Sequence, residues 1–236
     1  MSFSLIYERP FGDKEMPFVF PETDASGNVV AEPLDNGLSH RITITELTVS
    51  QKKKGATKFE VGYWVRGKEC DFYVTEARLI FKLQSLKKDL KFTGSVVDYG
   101  VEALFKKFED KKYEGKNHIG HIRYEWLYKI MYFEKYGRNN NMLRFVYFDD
   151  EMTSWQVQIT FANDMDVRFI ANEILHMACK YRARTKSQKD EEMLQFIEKY
   201  KNDDIPRAAD PTNNFSSISF PTALKACYGK NDRPDP

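Results

Sequence analysis

The chain has 236 residues, enough for one domain with extensions or two small ones, and its 36 basic and 35 acidic side chains leave a net charge of +1. That balance gives no global electrostatic footprint for nucleic acid, and no run approaches the ~20 apolar residues needed to span a bilayer. Aromatic residues are 14% of the chain, 18 Phe and 13 Tyr among them, and rings of this kind favour pleated, half-buried surfaces.

Cys70, Cys179 and Cys227 are odd in number, widely spaced and without a CxxC pair. That pattern argues against a disulfide framework or a zinc site and for a reducing compartment. The opening run MSFSLIYERPFGDKEMPF has no basic stretch leading into an apolar one, so a cytoplasmic chain without a transmembrane segment is expected.

Residues 1–40 are punctuated by Pro10, Pro17, Pro21 and Pro33, with Gly12, Gly27 and Gly37 between them. Proline removes a backbone donor and steers its predecessor away from helix. An irregular extension is expected, with Phe3, Leu5, Phe11, Phe18 and Phe20 packing on the main domain. Regular pattern starts at Arg41: RITITELTV sets Ile42 and Ile44 against Thr43 and Thr45, the period of a strand. QKKKGATK is a polar loop, FEVGYWV resumes the alternation, and RGKECD is expected to turn the chain. FYVTEARLIFKL is expected to form two short strands meeting near Glu76, or one bent strand. Between 84 and 117 lysines and acids crowd in. There Val101, Leu104, Phe105 and Phe108 recur at helical steps, which predicts a short helix inserted between strands.

Strands return at HIGHIRY and run on through EWLYKIMYFEKYG. RNNN is a turn cluster, MLRFVYF a strand and DDEMTS a further turn. WQVQITF alternates Trp155, Val157, Ile159 and Phe161 with Gln156, Gln158 and Thr160, which puts one face in the core and the other in water. Asn163 or Asp164 is placed to cap a following helix, and Asp166 sets negative charge at its N-terminus. Val167, Ile170, Ala171, Ile174, Ala178 and Tyr181 form its apolar stripe, and Lys180, Arg182, Arg184 and Lys186 suit the dipole at its far end. EEMLQFIEKYK is a second amphipathic piece, with Met193, Leu194, Ile197 and Tyr200. In the polar tail beyond Pro206, Phe215, Ile218 and Phe220 offer a means of docking.

Many antiparallel strands followed by an amphipathic helix predict a mainly β, α+β fold whose open end is covered by that helix. CDFYVTEARLIFK, with Thr75, Arg78, Leu79, Ile80 and Phe81, resembles the strand–turn–strand of pleckstrin-homology-like and GRAM-like domains. IRYEWLYKIMYF is similar to the following strand of that family, and Trp155–Phe161 with the helix from Asp166 to Arg184 is similar to its last strand and closing helix. The resemblance implies a bent antiparallel β-barrel or sandwich over 41–185, capped by a C-terminal α-helix and carrying 84–117 as a helical insertion. Residues 1–40 would be an irregular extension packed on the core, and 186–236 a C-terminal helix and tail.

Domains of this kind bind lipid headgroups, peptides or partner proteins and are rarely catalytic. In the lipid-binding members the loop between the first two strands grips phosphates, which here points to Lys52, Lys53, Lys54 and Lys58 as candidate anion or lipid contacts. Each basic residue near an anionic surface contributes about 1 kcal/mol, but Glu60, two positions after Lys58, would repel a phosphate. His118 and His121, three apart on a strand, point to opposite faces and make two ordinary strand-end histidines rather than a metal site. Glu76 with Arg78 is read as a structural ion pair or turn bond, Glu125 as a strand-edge carboxylate beside Trp126, and Cys179 as a small packing residue.

No GxSxG, HExxH, phosphate loop or dinucleotide fingerprint is present. The aromatics of WLYKIMYFEKYG and FVYFDD raise base stacking, but Glu134, Asp149, Asp150 and Glu151 argue against nucleic acid. The expectation is a non-enzymatic module without catalytic residues, metal or cofactor. It would hold a protein or peptide at an exposed strand edge or beside the closing helix. Two alternatives remain: peripheral binding of anionic lipid headgroups through 52–58, and an enzyme on an unrecognised α+β fold.

Overall fold

The computed structural model describes residues 40–52, 57–83, 87–88, 118–136, 140–148, 154–162, 164–185 and 191–221. The aromatic residues of the N-terminal extension and the predicted insertion helix at Val101–Phe108 lie outside them. Nine strands are β1 (His40–Lys52), β2 (Glu60–Val74), β3 (Arg78–Leu83), β4 (Lys87–Lys88), β5 (His118–Arg123), β6 (Leu127–Phe133), β7 (Met142–Phe148), β8 (Ser154–Thr160) and β9 (Ser216–Ser219). Two helices, α1 (Val167–Arg184) and α2 (Glu191–Tyr200), separate β8 from β9.

Every strand pairing is antiparallel. The hydrogen-bonded path runs β5-β3-β2-β1-β8-β7-β6-β9, with β4 paired to β2. β1 is the shared strand: residues Glu46–Lys52 pair with β8 on one side, while His40–Gln51 run along β2 on the other. The fold of the described residues is therefore mainly β with two helices, as the strand pattern predicts. It is not a closed barrel, because β5 and β9 end the path without pairing to each other.

The path is nonetheless folded over on itself. Phe72 on β2 and Phe145 on β7 are separated by β1 and β8, so a flat sheet would hold them roughly 14 Å apart at ~4.8 Å per strand. Their ring centroids are 6.1 Å apart. Both side chains are fully buried in one core with Ile44, Leu47, Leu79, Leu143, Val157 and Ile159.

The bend has a local cause. Ile44 faces Cys70 but Glu46 faces Arg66, so β2 spends four residues where β1 spends two. The surplus falls in RGKECD, which does not turn the chain; it lies inside the continuous strand Glu60–Val74. A glycine-containing polar run fits an irregular widening of this kind as well as it fits a turn, and such bulges bend a strand and increase its twist. The true turn is Thr75–Ala77. Thr75 N–H donates to Arg78 O at 3.1 Å, and Thr75 Oγ1 accepts from the N–H groups of Ala77 and Arg78 and donates to Arg78 O. The stretch CDFYVTEARLIFK is thus a tight hairpin, with Phe72, Val74, Leu79 and Phe81 directed into the core and the rings of Phe72 and Phe81 stacked at 5.1 Å.

α1 packs on β6, β7 and α2. Its predicted stripe, Val167, Ile170, Ala171, Ile174, Ala178 and Tyr181, is buried throughout, and so is a neighbouring strip of Asn172, Leu175, Cys179 and Arg182. The second strip faces α2 and the tail: Asn172 Oδ1 accepts from Ile205 N–H at 2.9 Å, and Met193 and Ile197 of α2 are buried with it. Burial pushes the Cys179 thiol up to about 12 despite the opposing charge of Arg182, so it packs as a small neutral group. The helix cap is Asp166, not Asp164, and Asn163 lies outside the described residues. Asp166 Oδ1 accepts from Phe169 N–H at 2.9 Å, satisfying a donor that the first turn leaves unpaired. Asp166→Ala is expected to lower the unfolding free energy by about 1 kcal/mol, measured by urea denaturation.

Candidate functional site

The turn Tyr124–Trp126 carries the chain from β5 into β6, that is, from one half of the curled sheet to the other. At this corner the carbonyls of Tyr124 and Leu127 face α1. Arg182 of α1, only 4% exposed, fills this corner. Its Nη2 donates to Tyr124 O at 2.6 Å and to Leu127 O at 2.7 Å, and its Nε donates to Tyr124 O at 3.2 Å. The neighbouring Tyr181 hydroxyl donates to Glu125 Oε2 at 2.6 Å.

A second buried polar pair sits behind the turn. Arg78 Nη1 lies 2.8 Å from His121 Nδ1, and both side chains are almost fully buried. A guanidinium can only donate, so Nδ1 accepts and the imidazole is neutral with its proton on Nε2. Tyr124 adds a 2.6 Å bond from its hydroxyl to Thr75 O. The expected Glu76–Arg78 pairing does not form: Arg78 turns inward, and Glu76 meets Arg184 at 3.2 Å on the surface. His121 is thus a core residue, in edge contact with Trp126, and the side chain of His118 lies outside the description. Among the described residues no cluster of His, Cys, Asp or Glu could hold a metal.

The predicted basic site is only partly visible. Lys52 is half-buried at the end of β1 and Lys58 is exposed in the following loop, while Lys53 and Lys54 lie outside the described residues. No helix among the described residues is long and apolar enough to cross a membrane.

The arrangement with the most recognition chemistry lies on the other side of Arg182, at the edge of β6. There Ser216–Ser219 adds a strand, with Lys129 facing Ser219, Ile130 facing Ile218, Met131 facing Ser217 and Tyr132 facing Ser216. Phe220 N–H continues the ladder to Tyr128 O at 2.8 Å. Side chains alternate across this strand. Ile218 points into the core beside Ile130. Phe220 enters a pocket between the Arg182 guanidinium, 4.2 Å from its ring centre, and the Phe196 ring of α2, 5.0 Å away. Phe215, just before the strand, lies instead on the outer face, 5.6 Å from the Phe133 ring with Arg144 stacked at 4.2 Å. Arg144 is held in place by Gln158, to which its Nε donates at 3.1 Å. The tail therefore clips onto both faces of the sheet edge, as the isolated Phe215, Ile218 and Phe220 predict. What the sequence did not disclose is that β6 is the strand they find.

A shallow open groove lies along the first turns of α1, lined by Arg168, Phe169, Asn172, His176 and Asp204. Phe169 is exposed there, and Arg168 is engaged by Asp204 at 2.9 Å. No family model, curated protein or solved structure matches the chain.

The Arg78–His121 pair generates a pH dependence. Burial first, and then the charges of Arg78 and Arg123, push the imidazole down to about 3 from 6.5. As pH falls the unfolded chain takes this proton first, so the stabilisation is complete above about pH 6.5 and declines by about 1.4 kcal/mol per pH unit toward pH 3. His121→Gln is expected to flatten that decline. Urea unfolding of both proteins at pH 7 and pH 5 checks it.

Proposed function

We propose that the chain carries a pleckstrin-homology-like domain, without enzymatic activity, that acts as a protein-interaction module and takes an extended segment at the β6 edge. Two features support the fold part of this reading. Strands β1, β2, β3 and β5 form one antiparallel half and β6, β7 and β8 the other, joined through β1 and β8. An amphipathic helix then follows the last of these strands and covers the open corner.

The observation that carries the functional part is the seating of Ser216–Phe220. An edge strand offers unpaired backbone donors and acceptors to any extended segment, and pockets for alternate side chains then give selectivity. The β6 edge has both: a ladder that accepts four residue pairs, and a pocket in which Arg182 and Phe196 hold an aromatic ring. A cation over an aromatic face adds about 0.5–2 kcal/mol where water is excluded, so the pocket selects rings rather than any apolar group.

The test uses the full-length double variant Ile218→Ala, Phe220→Ala, checked for native circular dichroism, and a labelled peptide NNFSSISFPT. Saturable binding is expected in fluorescence anisotropy, with none for a scrambled peptide of the same composition. Failure of the native-sequence peptide to bind, or equal binding of the scrambled one, contradicts the reading.

A further inference from the structure

Resting on the proposed acceptor role of the β6 edge, we infer that the segment Ser216–Phe220 is a displaceable self-ligand. It gates that edge and displays the chemistry a partner must imitate. β9 is four residues long and, among the described residues, ends the sheet path, paired on one side only. It is reached through residues 201–215, which contain no helix or strand. That connection is anchored at Ile205, which is buried and bonded to Asn172. Beyond it the chain is mostly exposed and turns on Asp210, whose carboxylate accepts from Thr212 and Asn213. The strand can leave without unmaking α1, α2 or the Ile205 anchor, because no described element packs beyond it.

The contacts specify the partner. Position 218 faces the core and takes an aliphatic side chain, and position 220 takes an aromatic ring between Arg182 and Phe196. Position 216 is buried and small. A partner is therefore an extended segment with an aliphatic residue two places before an aromatic one and small polar residues around them. One contact belongs to the tethered tail alone: Ala208 N–H donates to Ser216 Oγ at 3.0 Å. Because the tail is covalently attached, it competes at a high effective concentration, and a free segment binds in proportion to the open fraction.

Two measurements on the full chain decide this. Wild-type protein is expected to bind the labelled peptide NNFSSISFPT at least about tenfold more weakly than the Ile218→Ala, Phe220→Ala variant, because the tail occupies the edge. Equal affinity for both proteins overturns the gate while leaving the acceptor role standing; no binding to either removes the acceptor role itself. Amide hydrogen exchange of the wild type covers the case in which the variant does not fold. The Ile218 and Phe220 amides are expected to exchange at least about tenfold faster than those of Phe145 and Val157, through local opening. Exchange of all four at one slow rate shows a permanent strand and overturns the gate.

Discussion

One guanidinium touches the turn between the two halves of the sheet, the second helix and the tail at once. Arg182 binds the carbonyls of Tyr124 and Leu127 at the turn between the two halves of the sheet, touches Met193 of α2 through Nη1 at 3.8 Å, and lies flat on Phe220 of the tail. A buried cation is costly unless its donors are used. Here the donors are used on the carbonyls of Tyr124 and Leu127, which offsets the cost of burying the charge. Arginine suits this place better than lysine because its planar fork reaches two acceptors and stacks on a ring at once.

The strand path explains why such a plug is required. A curled sheet that does not close has two edges and an open corner, and exposed edges invite pairing with other chains. This protein deals with the corner through α1 and with the β6 edge through its own tail. In the function proposed above, the same tail contact that covers the edge also defines what the edge accepts. Phe215 and Phe220, on opposite faces of the sheet, hold the register, since a slip by one residue would place both rings on the wrong side.

Much of this was legible in the sequence wherever a periodic pattern had one meaning. Trp155, Val157 and Ile159 alternate because only one face of β8 meets the core, and Val167–Tyr181 repeats at helical steps because one face of α1 does. Local pattern failed where two structures share one composition. RGKECD has the residues of a turn and makes a widening within β2 instead, because β1 continues alongside it. Asn163 and Asp164 read as the cap and Asp166 only as charge near the helix start, and the choice of Asp166 rests on the position of the Phe169 amide. Arg182 reads as a cation suited to a helix C-terminus. Its burial depends on carbonyls about 55 residues earlier in the chain, which no local pattern contains. The β6 edge escaped for the same reason: the tail's aromatic residues announce docking, but the acceptor strand is chosen by the tertiary fold.

The most direct test is equilibrium urea unfolding of Arg182→Lys at neutral pH. Lysine keeps the charge but cannot bridge Tyr124 O and Leu127 O while covering Phe220. The expected result is a loss of roughly 3 kcal/mol, as for the loss of buried hydrogen bonds to a charged group. A loss below about 0.5 kcal/mol, the level of an ordinary surface substitution, would contradict the account that this side chain holds the corner, the helix and the tail together.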